Sequence, residues 1–270
     1  MTGGGSVTDR LIPGTAFVTG GGSGIGRAIA GALAAAGAPV VVMDLLPEGG
    51  RATVEAIAAR GGRAAFLQGD ASRFGDVDRC VTDGVAALGP LAIMVNAAGI
   101  LDGYTPTEAM GLAVWERVIA INLTGTFFGC KRALAELLPA GRGRIVNVAS
   151  TAGLVGSGGG PAYTASKHGV VGLTRQLAVT YAARGVTVNA VCPGAILTGL
   201  RANSTRILGA DAPPMAGGVG ASEAAVRAVT PAGRRGTVEE VAAATCFLAT
   251  EAAAYITGHT LVIDGGWTAA

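Results

Sequence analysis

The sequence predicts an α/β fold: a single doubly wound domain on a seven-stranded parallel sheet with helices on both faces. Three observations carry this reading. Seven short β-branched or apolar runs recur along the 270 residues, and an alanine-rich helical pattern separates each from the next. The runs are apolar throughout rather than alternating, as strands buried on both faces must be. No polar linker divides the chain, so right-handed crossovers can return every strand to one sheet.

Taken in order, the strands are expected at TAFVT from Thr15, PVVVM from Pro39, AAFLQ from Ala64, LAIMVN from Leu91, RIVNVAS from Arg144, VTVNAVC from Val186 and TLVI from Thr260. Residues 1–14 carry neither the apolar core nor the positive start of a signal peptide and read as a short disordered tail, leaving 15–270 as the domain. Between Thr198 and Gly236 the chain is rich in Gly, Ala and Pro and lacks a clear period, with one short helix expected around Ser222 to Val229. A connection of this length inside a domain reads as a mobile substrate loop.

Composition excludes several classes of function. With 20 basic against 18 acidic residues and no block of like charge, the chain has no electrostatic footprint for nucleic acid or an anionic membrane. A small molecule is the expected partner. Cys80, Cys130, Cys192 and Cys246 form no CxxC, and only His168 and His259 could complete a metal site, so no metal is expected. Isolated cysteines in apolar segments suit a reducing, cytoplasmic compartment. The apolar stretch from Ala28 to Met43 is too short for a membrane span and is broken by Gly37 and Pro39.

The first strand runs through TGGGSGIG from Thr19 into a helical pattern. The spacing is TGxxxGxG rather than GxGxxG, and it still aims backbone N–H groups at a helix N-terminus, where anions are stabilised. Asp44 closes the second strand twenty residues after Gly24, where an acid can hold the adenosine ribose hydroxyls. A 2′-phosphate beside that carboxylate would be repelled, and Ser23 and Leu45 offer no cation in compensation, so NAD is expected over NADP.

The segment YTASK sets Tyr163 and Lys167 four apart, one above the other on a helix face. The chain holds 18 arginines but only two lysines, Lys131 and Lys167, so a lysine here is notable. Its compact ammonium can serve a phenol and sugar hydroxyls together, which a planar guanidinium cannot reproduce. Ser150 ends the fifth strand, thirteen residues before Tyr163, at the carboxyl edge where open α/β sheets bind ligands. No GxSxG elbow or histidine triad supports a hydrolase.

From Thr15 to Trp267 the chain resembles a short-chain dehydrogenase/reductase, a Rossmann-type fold. The resemblance rests on TGGGSGIG, NAAG from Asn96, Asn122 in INLTG, Ser150 with YTASK, and PGAILT from Pro193. It implies that Gly20, Ser23, Gly24 and Ile25 line the pyrophosphate turn and that Asp44 binds ribose. It also implies that Asp70 and Ala71 flank the adenine, although Asp70 equally suits a helix cap. Asn96, Ala97 and Gly99 would lie along the cofactor, Asn96 mainly as a brace of the sheet. Pro193 and Gly194 turn the chain toward the nicotinamide, with Ile196 and Thr198 on its carboxamide. Asn122 would hold a water linking Lys167 to solvent, and the family's habit implies a homotetramer built on the Trp115 and Tyr163 helices and the C-terminal strand.

Moving a hydride between a carbinol carbon and nicotinamide requires one proton to join or leave the oxygen. Tyr163 is the expected acid/base, with Lys167 and oxidised nicotinamide together lowering its pKa and Ser150 orienting the substrate oxygen. The resulting expectation is an NAD-dependent oxidoreductase of secondary alcohols and ketones. The alternatives are an NADPH-dependent 3-oxoacyl thioester reductase and a catalytically silent NAD-binding scaffold. Specificity is expected to lie in 154–161, 198–236 and 102–107, with Leu200 and Met215 as apolar contacts.

Overall fold

A computed structural model describes residues 11–270. Its strands are β1 (Thr15–Thr19), β2 (Val40–Asp44), β3 (Ala64–Gln68), β4 (Leu91–Asn96), β5 (Gly143–Val148), β6 (Val186–Pro193) and β7 (Thr260–Ile263). They form one parallel sheet in the order β3-β2-β1-β4-β5-β6-β7. Strand order reverses between β1 and β4, so a crevice opens there at the carboxyl edge.

Successive side chains of a strand point to opposite faces, and each face has its own core. Ala16 and Val18 of β1 meet α1 (Gly24–Ala35), α2 (Pro47–Ala58) and α9 (Val238–Leu248) through Ile29, Leu33, Ile57, Val241 and Leu248. Phe17, between them in sequence, points the other way. It packs with Val41, Met94 and Ile145 against α3 (Phe74–Leu88), α5 (Gly125–Ala140) and α6 (Pro161–Tyr181). Burial of both faces explains why the strands read as unbroken apolar runs.

Three features depart from the sequence reading. Residues 1–10 of the expected tail lie outside the described residues, but residues 11–14 belong to the fold: Leu11 bridges Thr250, and Ile12 is buried in the core. Burial of an isoleucine offsets the entropy of ordering so short a segment. The expected loop after Thr198 contains α7 (Leu200–Leu208) as well as the short α8 (Glu223–Val229). Helix α7 escapes periodicity because its buried positions include Ser204, a polar residue whose hydroxyl bonds back to Leu200 O at 2.7 Å. Finally, α4 (Leu112–Ile119) and α5 are joined by a π-helical turn, Ala120–Thr124, that holds Asn122. Such a turn inserts without any break in the apolar pattern.

Among the described residues no helix is long and apolar enough to cross a membrane.

Candidate active site

The glycine turn brings backbone against backbone. Gly20 adopts φ +66°, and a Cβ there would stand 2.7 Å from Ala98 Cα. Gly26 lies directly over the Gly20 carbonyl, so the first turn of α1 rests on the loop. Thr19 Oγ1 accepts the N–H groups of Ala97 and Ala98 at 3.1 and 3.2 Å, pinning the segment after β4 beside the turn. Asp44 closes the far side. Its carboxylate accepts Gly22 N–H at 2.8 Å and Leu46 N–H at 2.9 Å, so it is fixed with its charge at the cleft wall.

An open cleft of about 1180 Å³ runs from Asp44 along the carboxyl edge to Ser150 and Tyr163. Every residue expected to contact the cofactor or carry the chemistry borders it except Asn96 and Asn122, and of the two expected apolar contacts Leu200 borders it and Met215 does not. Asn96 is buried behind the wall and donates to Asn147 Oδ1 at 2.9 Å, bracing β4 against β5. Asn122 also lies behind the wall: its Oδ1 accepts Ile100 N–H at 2.9 Å, and its amide donates to Ile100 O at 3.0 Å and Ser166 Oγ at 3.1 Å. This side chain is spent on holding Ile100 and α6 in place. Asp70 borders the cleft but is engaged by Arg117 at 2.7 Å and by the hydroxyl and N–H of Ser72. Burial raises its pKa, yet these bonds outweigh it and leave the carboxyl below its ordinary range. The turn-forming role of Asp70 is the one its contacts display.

Helix α6 presents Tyr163 and Lys167 on one buried face, with Lys167 Nζ 5.5 Å from the ring centroid of Tyr163. The ammonium donates to Val148 O at 2.8 Å. A Cβ on Gly99 would meet Asn122 Oδ1 at 3.4 Å and Lys167 Nζ at 3.5 Å, ordinary contact distances that place Gly99 beside both groups. Ser150 follows β5 and its Oγ accepts Ala152 N–H at 3.1 Å, which leaves its own hydroxyl hydrogen free to donate into the cleft.

In the cofactor-free site burial dominates the electrostatics. Burial pushes the Tyr163 phenol up, Ser150 pulls it down, and Tyr104 and Asp102 raise it further, for a net shift upward. Burial also pushes Lys167 down to about 8. The lysine does not by itself make the tyrosine acidic, because both groups leave water together and each charged form loses its hydration.

Two neighbours of the site carry no motif that would reveal them in sequence. Asp102, fully buried, accepts the N–H of Tyr163 at 2.9 Å and of Gly160 at 3.1 Å, capping α6 from another segment. Asn203 of α7 donates to Ser23 Oγ at 2.9 Å, across the mouth of the cleft. Leu200 and Met215 pack against Leu101, Ala152 and Tyr163.

A family model described as enoyl-(acyl carrier protein) reductase matches residues 20–268. The chain is 39% identical to 2-(S)-hydroxypropyl-CoM dehydrogenase 3 of Xanthobacter autotrophicus, over 97% of this chain and 100% of that protein. It is 38% identical to cyclohexanol dehydrogenase of an Acinetobacter species, over 94% of each chain. Among solved structures, one described as an NAD(P)-dependent gluconate 5-dehydrogenase from Beutenbergia cavernae, with NADP at low occupancy, is 37% identical. It superposes with a TM-score of 0.84 over 97% of this chain and 100% of its own.

Proposed function

The chain belongs to the short-chain dehydrogenase/reductase family, and on that premise we propose that it is an oxidoreductase interconverting a secondary alcohol and a ketone with NAD(H). The observation that carries this is the convergence of Ser150, Tyr163 and Lys167 on one end of a cleft whose other end is the glycine turn and Asp44.

The residues present fit a nicotinamide dinucleotide. Gly20 and Gly24 leave a cradle that a Cβ would fill, and the N-terminus of α1 offers N–H groups to a pyrophosphate. Ser23 and Ile25 would line that turn, Asp44 would take the ribose hydroxyls, and Ala71 would border the adenine. Ala97, Gly99, Pro193, Gly194, Ile196 and Thr198 would flank the remainder. When bound, the nicotinamide supplies the acceptor or donor of hydride.

The protein's own residues handle the proton. Ser150 donates its hydroxyl hydrogen to the substrate oxygen and holds it beside Tyr163. The Tyr163 phenol is the acid in ketone reduction and, as phenolate, the base in alcohol oxidation. Lys167 stabilises the phenolate through its positive charge and offers its remaining ammonium hydrogens to ribose hydroxyls. Asn122 acts by positioning, since its amide keeps Ile100 and Ser166 around the lysine. Because burial raises Tyr163 in the free protein, the phenolate depends on positive charge arriving with the oxidised cofactor as well as on Lys167.

NAD is preferred over NADP on the strength of the fixed Asp44 carboxylate. The NADP in the Beutenbergia cavernae relative favours NADP instead, and initial rates with each cofactor separate the two. We further infer a homotetramer in the cytoplasm. Support comes from exposed Trp115, Val179 and Val262 on the expected contact elements and from cysteines that are all unpaired. A spectrophotometric screen of cyclic secondary alcohols tests the proposal: turnover lost in Tyr163→Phe supports it, and undiminished turnover in that variant removes it.

A further inference from the structure

Beyond the glycine turn and the proton-transfer group, a second chamber enclosing about 800 Å³ opens from the same Ser150 and Tyr163. Its far wall is unusual for a site that handles neutral alcohols, because it holds the guanidinium groups of Arg201 and Arg235. The two converge on one spot: the point where a Cβ on Gly220 would lie is 3.1 Å from Arg201 Nη2 and 3.7 Å from Arg235 Nη1.

One of the two charges on this wall has a carboxylate partner and, among the described residues, the other has none. Arg235 is paired through Nε with Glu223 at 2.5 Å, and Glu223 lies outside the chamber with 62% of its side chain exposed. Arg201 has no carboxylate within 4.0 Å among the described residues; its Nη1 donates to Met215 O and its Nη2 to Gly217 O at 2.9 Å. Its guanidinium stands 5.7 Å from the centroid of Tyr104, whose own backbone is held at φ +60°. A guanidinium has five N–H donors, so each arginine keeps several unused. No aspartate or glutamate lines the chamber.

We propose that this chamber is a subsite for an anionic group of the substrate, so that the enzyme acts on secondary alcohols or ketones that carry a carboxylate remote from the reacting carbon. The inference rests on the proposed hydride-transfer function and names its substrate class. The planar fork of Arg201, braced by two backbone carbonyls and a ring face, is organised for bidentate binding of a carboxylate before the ligand arrives. Arg235, paired with Glu223 and donating Nη2 to Gly220 O at 3.2 Å, adds its remaining N–H donors. Leu101, Leu197 and Leu200 line the chamber together with the arginines and Tyr163, which suits a hydrocarbon frame between the two polar ends.

The test pairs binding with turnover. Calorimetry with cyclohexanecarboxylate, a ligand with no oxidisable carbinol, reads the subsite alone. Wild type is expected to bind it at least about tenfold more tightly than cyclohexanecarboxamide, and Arg201→Met to lose about 10- to 100-fold of that affinity. Kinetics with 4-hydroxycyclohexanecarboxylate and with its methyl ester then report the effect on KM. Arg201→Met is expected to raise KM for the acid and leave KM and kcat for the ester within about twofold. Equal binding of acid and amide by wild type overturns the proposal, as does an equal loss of acid and ester turnover in Arg201→Met, which marks the arginine as only a brace for residues 215–217. Arginine-dependent carboxylate binding without turnover of any alcohol would uphold the anion subsite and instead remove the hydride-transfer reading.

Discussion

The carboxylate of Asp102, in the segment after β4, accepts the backbone N–H of Tyr163 on α6 at 2.9 Å. It thereby sets the start of the helix that carries the phenol, and it places a negative charge near that phenol which raises its pKa. One residue holds the proposed acid/base in place and, beside the larger effect of burial, opposes its ionisation. Asp102→Asn keeps an acceptor while removing the charge. It is expected to lower stability by about 1–3 kcal/mol through weaker bonds to buried N–H groups and to move the alkaline-activating limb of the alcohol-oxidation pH profile to lower pH. Thermal unfolding and kcat/KM against pH check both, and a variant unchanged in each would show that the carboxylate is incidental.

Tyr163→Phe removes the proton carrier without changing the ring that packs against Leu101 and Ala152. Turnover is expected to fall by about 10²- to 10⁴-fold, while the affinity for NADH, read by fluorescence, stays within about threefold. A comparable loss of cofactor binding would mean that the phenol acts chiefly as a contact.

Lys167 lies lower in the folded protein, at about 8, than its ordinary 10.5. The unfolded chain therefore holds more protons between those values, and stability from this residue rises as pH climbs through that window. Below it, burying the ammonium destabilises the cofactor-free fold. Lys167→Met is expected to melt higher than wild type at pH 7, each pKa unit corresponding to about 1.4 kcal/mol. The advantage should shrink as pH rises toward 10.5. A difference in melting temperature that is flat from pH 7 to 10 would contradict the assignment.

Asp44 holds the Gly22 N–H and faces the cleft with a fixed charge. Asp44→Asn can retain that hydrogen bond and lose the repulsion toward a 2′-phosphate. The ratio of kcat/KM for NADP to that for NAD is expected to rise by at least about tenfold. If it does not move, cofactor choice is made elsewhere.

Gly20→Ala puts a methyl 2.7 Å from Ala98 Cα at φ +66°. Backbone cannot yield there as a flexible side chain could, and positive φ adds about 1 kcal/mol of strain. The variant is expected to lose NADH affinity by more than about tenfold and to melt below wild type, both measurable in one titration series.

Much of this could be read without coordinates. The strand starting at Thr15 and the one at Thr260 appear where their apolar runs begin, because a strand buried on both faces admits little else. Gly20, Asp44, Ser150, Tyr163 and Lys167 were legible because local geometry sets each of them: a turn, a strand end, or one helical turn. Asn122 was visible as a residue, but the contacts of its amide were not, since the π-helical turn that aims it leaves no mark on the apolar period.

What the sequence determined by itself is the parallel sheet and, from short-range spacing, the glycine turn, Asp44, Ser150, Tyr163 and Lys167; the other residues that ring the cleft came from the family resemblance. Only the tertiary structure decided that Asp102 reaches α6 across 61 positions, that Asn203 crosses to Ser23 across 180, and that Arg201 and Arg235 both approach Gly220. It also decided the sign of the shift at Tyr163. Burial and charge are sums over every neighbour in space, and a pattern of residues along the chain records only the neighbours that are also close in sequence.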